Sequence, residues 1–204
     1  MEREVSTQSR VRVTPEEYLA LERQAETRSE YFDGEMLPMP GVSLEHGRIV
    51  VNLISELDSQ FQDRPAEVHG PDFGVKASKT GSYFYPDVSV LIGGPELEDE
   101  HRDSLLNPRV IFEVLSPSTE SYDRGPKFAH YRTIESLHEF VLVSQTEPRV
   151  ERYLRQEGAN WLYSEVTDLA SSLELASIAY RIPLSRIYRR VDFERAKRRA
   201  KPPL

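Results

Sequence analysis

Two acidic residues stand inside segments that otherwise have the composition of buried β-strands. Asp87 lies at the head of YPDVSVLIGG, residues 85–94, and Glu113 lies in the middle of RVIFEVLSPST, residues 109–119. Around Glu113, valine and phenylalanine alternate with isoleucine and leucine, so both faces of the strand are apolar, which is typical of a central strand. An ionised carboxylate without a partner is very unfavourable in such a place, so Glu113 must be neutral, paired or bound to a cation.

If these two strands are neighbours, Asp87 and Glu113 meet at one end of the sheet. Paired carboxylates are suited to Mg²⁺ or Mn²⁺, with water completing the coordination. We therefore predict a metal site that uses Asp87 and Glu113. The alternative is that Asp87 only follows Pro86 in a turn and that Glu113 pairs with an arginine, but carboxylates with strongly perturbed pKa values cluster at active sites.

A lysine is available in the segment SYDRGPKFAHYRTI, which predicts a helix with Asp123 as its N-cap. Lys127, Tyr131 and Ile134 share one face of this helix, and that face is expected to direct Lys127 toward the sheet. The ammonium could then orient or deprotonate an attacking water and stabilise charge on a phosphate. The alternative is a lysine that extends into solvent.

The surrounding pattern predicts the elements that position these residues. Thr14, Pro15 and Glu17 predict the start of a helix over about 15–28, and Asp33-Gly34 predicts a hairpin turn. Apolar residues at spacings of three and four predict a core helix in SLEHGRIVVNLISELDSQF. Several further strands follow, with a helix between those at 109–115 and 138–145. We expect an α+β fold, or α/β sandwich, around one mixed sheet flanked by helices.

Length and composition limit the function classes. The chain of 204 residues has no cysteine, so thiolate catalysis and disulfides are excluded, and no apolar run is long enough to span a membrane. We expect a soluble, cytoplasmic protein with an N-terminal extension (1–13), one domain (14–183) and a basic C-terminal helix or tail (184–204). The net charge is −8, but residues 186–204 carry +6, so the tail could bind phosphates; a solvated terminal helix is the alternative.

The order of these residues resembles the PD-(D/E)XK nuclease superfamily. More closely, YFDGEMLPMPGVSLEHGRIVVNL, YPDVSVLI and IFEVLSPSTESYDRGPKFAHYRTIESLHEFVLV resemble the Uma-two family of bacterial restriction-endonuclease-like proteins, over about residues 14–165. The resemblance implies a restriction-endonuclease-like core with Asp87 and Glu113 as metal ligands. The superfamily lysine would fall two residues after the glutamate, where Leu115 stands, and the resemblance implies that Lys127 replaces it.

Two further site residues depend partly on this resemblance. Glu35, after the Asp33-Gly34 turn, matches an acidic position of the family and could contact the metal or its water; a surface glutamate is the alternative. His46 begins the apolar face of the core helix, where it could line the site or be a satisfied core histidine. Its neighbour Glu45 is expected on another face, capping the helix N-terminus.

The predicted function is a Mg²⁺- or Mn²⁺-dependent endonuclease that hydrolyses DNA, with duplex DNA as substrate and a homodimer as assembly, because two-stranded cleavage needs two sites. The proposed catalytic residues are Asp87, Glu113, Lys127, Glu35 and His46. One alternative is a non-catalytic dimer that binds nucleic acid or protein on the same scaffold. Another is a hydrolase for a different phosphate ester.

Overall fold

The computed structural model describes residues 12–200. Most of the expected N-terminal extension, residues 1–11, and the end of the basic tail, 201–204, lie outside the described residues. Within 12–200, no helix is both long and apolar enough to cross a membrane. Helices and strands alternate irregularly along the chain, which confirms the α+β class.

The described part of the chain contains six α-helices, numbered in chain order. They are α1 (Pro15–Glu22), α2 (Leu44–Phe61), α3 (Glu120–Tyr122), α4 (Phe128–Tyr131), α5 (Leu184–Ile187) and α6 (Phe193–Ala200). The capping box of α1 forms as predicted from Thr14 and Glu17, but α1 ends at Glu22 and not near residue 28. The buried Glu22 carboxylate accepts hydrogen bonds from the Ser29 backbone NH, which fixes the chain as it turns into the next strand.

A six-stranded mixed sheet forms the centre of the fold. Its strands, in spatial order, are β11 (Trp161–Val166), β10 (Val150–Arg155), β9 (Glu139–Ser144), β8 (Val110–Leu115), β6 (Val88–Ile92) and β3 (Ala66–His69). Strands β6 and β8 are antiparallel neighbours, with Val88 opposite Phe112, so the predicted adjacency is confirmed. All six residues of β8 are buried, as expected for a central strand.

A second sheet and a two-stranded ribbon replace the single sheet that the sequence predicts. The five-stranded sheet has the order β2 (Glu35–Pro38), β1 (Ser29–Phe32), β5 (Ser82–Phe84), β4 (Gly74–Ala77) and β7 (Ser104–Leu105). The ribbon pairs β12 (Ser172–Leu175) with β13 (Tyr180–Pro183), and a short 3-10 helix, Ala176–Ile178, joins them. These strands have four residues or fewer, too short for alternation alone to assign them to sheets.

Two hydrophobic clusters lie on opposite faces of β8. Val110, Phe112 and Val114 pack with α2 and the β12–β13 ribbon on one face. Ile111 and Leu115 pack with β4, β5 and α4 on the other. Glu113 points into this second face, where an apolar residue would otherwise stand. The sheet therefore delivers one carboxylate into a buried layer between itself and the elements that carry Lys127.

Candidate active site

One cavity, of about 410 Å³, opens where β6 and β8 meet the start of α2. Loops 38–43 and 116–119 form much of its rim. Four of the five predicted site residues line it: His46, Asp87, Glu113 and Lys127. The structure therefore brings residues from four separate segments of the sequence to one place.

Glu113 and Lys127 form a buried ion pair in this cavity. The Lys127 Nζ atom lies 2.8 Å from Glu113 Oε1, and each side chain is 5% exposed. The Tyr131 hydroxyl donates to the same carboxylate oxygen at 3.0 Å. Burial raises the pKa of Glu113, and the Lys127 ammonium opposes that shift. Burial also acts to lower the pKa of Lys127, but the surrounding carboxylates outweigh it, so the pKa lies above its usual value and the amine stays charged.

Glu30, which the sequence reasoning missed, is the second partner of Lys127. Its Oε1 atom lies 2.7 Å from Lys127 Nζ and accepts a 3.3 Å hydrogen bond from the Tyr85 backbone NH. Glu30 lies in β1 and its side chain is 7% exposed. The sequence pattern that indicates Glu113, a charged residue on an otherwise apolar strand face, also applies to Glu30, because Glu30 shares a strand face with the apolar Phe32.

A π-helical turn, Asp123–Lys127, positions the lysine between α3 and α4. It contains Pro126, whose missing NH cannot join the regular α-helical ladder. Asp123 is not the predicted N-cap: it begins this turn inside a continuous helical stretch, is buried, and lies 3.8 Å from Lys127 Nζ. Lys127 and Tyr131 nevertheless lie on the same side of the helical segment, as predicted, because both are buried against the sheet.

Asp87 is fixed by two hydrogen bonds at the start of β6. Its Oδ1 atom lies 2.8 Å from His46 Nε2, and its Oδ2 accepts from the Val114 backbone NH at 2.7 Å. Burial raises the pKa of Asp87 to about 7 and lowers the pKa of His46 to about 4. His46 thus contacts a site carboxylate directly from the first turn of α2.

Glu35 and Glu45 are placed differently from the expectations. Glu35 pairs with Phe32 across the β1–β2 hairpin and is not among the described residues that line the cavity. Glu45 is fully buried and does line it, whereas the side chain that caps α2 belongs to Ser43. Glu45 Oε1 lies 3.9 Å from Arg48 Nη1 of the same helix and 3.9 Å from Arg195 Nε of α6, so the carboxyl has both a local and a distant cation as neighbours.

A divalent metal ion in this cavity would have few protein ligands. Among residues 12–200, no three His, Asp or Glu side chains are grouped closely enough to hold a metal. The cavity nevertheless presents two buried carboxylates, Asp87 and Glu113, whose pKa values are raised by burial, so a bound cation would favour their charged forms. Two carboxylates with open volume beside them fit Mg²⁺, which usually keeps several of its waters.

The chain is similar to known proteins over most of its length. Two uncharacterized proteins of Synechocystis are similar to it: one is 37% identical over 164 residues, 80% of this chain and 93% of the relative. The other is 33% identical over 182 residues, 89% of this chain and 94% of the relative. A crystal structure described as "a putative nuclease" from Anabaena variabilis shares the fold, with a TM-score of 0.71 and 20% identity over 86% of this chain and 97% of that one.

A family model also matches most of the chain. The model is that of Uma2, described as "Putative restriction endonuclease", and it matches residues 15–184. Those residues include the whole Asp87, Glu113 and Lys127 cluster together with Glu30 and His46. The chain therefore belongs to the Uma2 family.

Proposed function

We propose that this protein is a metal-dependent endonuclease that hydrolyses phosphodiester bonds of duplex DNA. The observation that supports this most directly is the convergence of Asp87, Glu113 and Lys127 in one cavity, with the lysine 2.8 Å from the glutamate. Two carboxylates can hold a metal ion that activates water, and a charged amine can stabilise the negative charge that develops on the phosphate. Family membership and the fold of the Anabaena neighbour agree with a nuclease.

Asp87 and Glu113 are the residues that would hold Mg²⁺ or Mn²⁺. When bound, the ion supplies an activated water and a positive charge for the phosphate. His46 and the Val114 backbone NH hold the two oxygens of Asp87, so its carboxylate plane is set before any substrate enters. Such a preset carboxylate needs little reorganisation during the reaction.

Lys127 is the residue that stabilises charge on the phosphate. Its position is set by Glu30 and Glu113 at 2.7 and 2.8 Å, and by the π-helical turn in which it stands. The amine remains protonated at neutral pH because three carboxylates lie within 4 Å. It can therefore donate a hydrogen bond to a phosphate oxygen as negative charge develops there.

Nicking of supercoiled plasmid in Mg²⁺ or Mn²⁺, with chelator as the blank, tests this function. Asp87→Asn and Glu113→Gln should abolish both cleavage and Mg²⁺ binding measured by calorimetry. Asp58→Asn, on the exposed side of α2, should change neither. Cleavage that persists in Asp87→Asn would refute the assignment of this site.

Lys127 is tested with a methionine, which keeps an unbranched stem in the buried position. Lys127→Met should retain Mg²⁺ binding and slow cleavage by about 10²-fold or more. Lys79→Ala is the control, because Lys79 pairs with Glu135 at an exposed site. Circular dichroism of both variants separates loss of chemistry from loss of fold. Absence of both cleavage and metal binding in wild type would favour the non-catalytic binding protein.

Duplex cleavage also implies an assembly. One cavity of this size acts on one strand, so we propose a homodimer with two sites. Analytical ultracentrifugation with and without duplex oligonucleotide measures this directly. A monomer under both conditions would restrict the proposal to single-strand nicking.

A further inference from the structure

The basic C-terminal helix α6 is docked on the body of the protein. The Asn52 side-chain amide on α2 donates to the backbone carbonyls of Ile187 and Arg189, each at 2.9 Å, which fixes the chain that leads into α6. Phe193 packs edge-on against Tyr188 with ring centroids 5.2 Å apart. Ala196, one turn further, is buried. These contacts favour a fixed helix over the solvated terminal helix that the sequence left open.

Docking places one side of α6 at the candidate active site. Ala196 and Arg199, three residues apart and so on the same side of the helix, both line the 410 Å³ cavity. Arg195 Nε lies 3.9 Å from Glu45 Oε1. Glu45 is fully buried, and neither of its carboxylate oxygens has a hydrogen-bond partner among the described residues. The same oxygen lies 3.9 Å from Arg48 Nη1 of α2, so Arg195 adds a contact that joins α6 to the Arg48–Glu45 pair at the cavity wall.

Acidic side chains outnumber basic ones in the lining of the cavity, which makes Arg199 important for binding an anion. Five carboxylates line the cavity: Glu30, Glu45, Asp87, Glu113 and Asp123. Among the described lining residues, the permanent cations are Lys127 and Arg199. Lys127 already has three of the carboxylates within 4 Å, whereas Arg199 is exposed and forms no ion pair within residues 12–200. A phosphodiester approaching this acidic cavity therefore meets, in Arg199, a cation that is free to bind it.

We propose that Arg199 binds a backbone phosphate of the nucleic acid, next to the phosphodiester that enters the cavity, and that Arg195 and Glu45 hold α6 in position for this contact. The proposal rests on the proposed function, since it takes the ligand to be a nucleic acid. An arginine suits this role because its guanidinium remains charged and matches the geometry of phosphate oxygens. The basic tail thus contributes through one defined residue of the site, and not only through its net charge.

Binding of a fluorescein-labelled duplex oligonucleotide, measured by anisotropy in chelator over a range of salt concentrations, tests the proposal. Each phosphate contact contributes about −0.9 to the slope of log K against log salt concentration. Arg199→Ala should reduce the magnitude of this slope by about one and weaken binding irrespective of sequence. Arg199→Lys should keep most of the slope, because the charge is retained.

Lys197→Ala is the matched control. Lys197 is a cation of the same helix, but it pairs with Glu194 at 3.4 Å and is not among the residues that line the cavity. Its replacement should change the slope by much less than one. Equal effects of Arg199→Ala and Lys197→Ala, or an unchanged slope in Arg199→Ala, would overturn the proposal.

The binding assay contains no divalent ion, so its outcome is independent of catalysis. A protein that binds duplex DNA through Arg199 but never cleaves it would uphold the role of Arg199 and refute the nuclease. Cleavage by wild type combined with an unchanged slope in Arg199→Ala would support the nuclease and refute the role of Arg199. Failure of wild type to bind duplex or single-stranded DNA would refute the role of Arg199.

Discussion

The hydrogen bond between His46 and Asp87 joins two groups whose pKa values move in opposite directions. Burial raises the pKa of Asp87 to about 7 and lowers the pKa of His46 to about 4. The folded pair therefore holds one proton across most of the range from pH 4 to 7. The unfolded pair also holds one there, on the imidazole. Because both states bind the same number of protons, the pair leaves the free energy of unfolding nearly constant in this range.

Replacing His46 should reveal the contribution of Asp87. A carboxyl whose pKa is raised on folding stabilises the protein fully below its unfolded pKa near 4, and that stability is lost as pH rises toward 7. In chelator, the free energy of unfolding of His46→Gln should fall, relative to wild type, by up to about 1.4 kcal/mol per pH unit between pH 5 and 7. Urea denaturation at several pH values measures this. The control His101→Gln, at an exposed position, should show the same pH dependence of the free energy of unfolding as wild type. The same pH dependence in His46→Gln would contradict the proposed link between His46 and Asp87.

At the level of single residues, the sequence reveals the site where a charge interrupts an apolar pattern. Glu113 and Lys127 were identified because each stands on a face otherwise made of core residues. Glu30 has the same signature, but β1 is only four residues long, and the family resemblance points to Glu35 beyond the turn instead. Alternation over so short a strand does not show that Glu30 faces inward; its buried position is evident only from its contacts with Lys127 and the Tyr85 backbone NH, which come from distant parts of the chain.

Among the elements, the first turn of α2 is joined to the central sheet by two side chains. Ser43 caps α2 by accepting from the His46 backbone NH at 3.0 Å, and its hydroxyl donates to Gln145 Oε1 at 2.6 Å. Gln145, at the end of β9, donates to the Leu115 carbonyl at 3.0 Å. The helix that carries His46 is thereby held in register with the strand that carries Glu113.

We expect Ser43→Ala to destabilise the protein by about 1–2 kcal/mol, because it removes the N-cap and leaves Gln145 Oε1 without that donor. Chemical denaturation measures the change. Ser59→Ala, on the exposed side of the same helix, loses only a bond to the Glu56 carbonyl and should cost less than about 0.5 kcal/mol. Equal costs for the two variants would show that the Ser43 link contributes nothing beyond helix propensity.

The elements that cannot be predicted from the sequence are those whose position depends on contacts with distant parts of the chain. Helix α2 and the neighbouring strands β6 and β8 follow from periodicity, because each has enough residues to show a pattern. The five-stranded sheet does not, since β1, β4 and β5 have four residues or fewer and are joined by pairing across the chain. The docking of α6 likewise depends on Asn52 and Glu45, which lie more than a hundred residues away.

For the whole molecule, the central strands link the two hydrophobic clusters. Strands β8 and β9 send alternate side chains into each cluster, so neither cluster can open without disturbing the same strands. Trp161, the single tryptophan, packs against Phe128 at the edge of the cluster that contains Leu115. Its fluorescence therefore reports on one face of the sheet, while far-ultraviolet circular dichroism reports on all of it.

Unfolding of the whole molecule should be cooperative. Urea transitions followed by Trp161 fluorescence and by circular dichroism should have the same midpoint and the same slope. Slow hydrogen exchange in β8 and β9, which are fully buried, provides a second measurement. A fluorescence transition at clearly lower urea would show that the Trp161 side opens separately.

The place of Lys127 on a helix, fourteen residues after Glu113, has a consequence for how such sites are found. Since the amine reaches Glu113 from α3–α4, position 115 of the strand is free to be a leucine that fills the core. A search for nucleases that demands acid and lysine two residues apart would therefore pass over this chain. A search for a buried amine within 3 Å of a strand carboxylate, whatever their separation along the chain, would recover it.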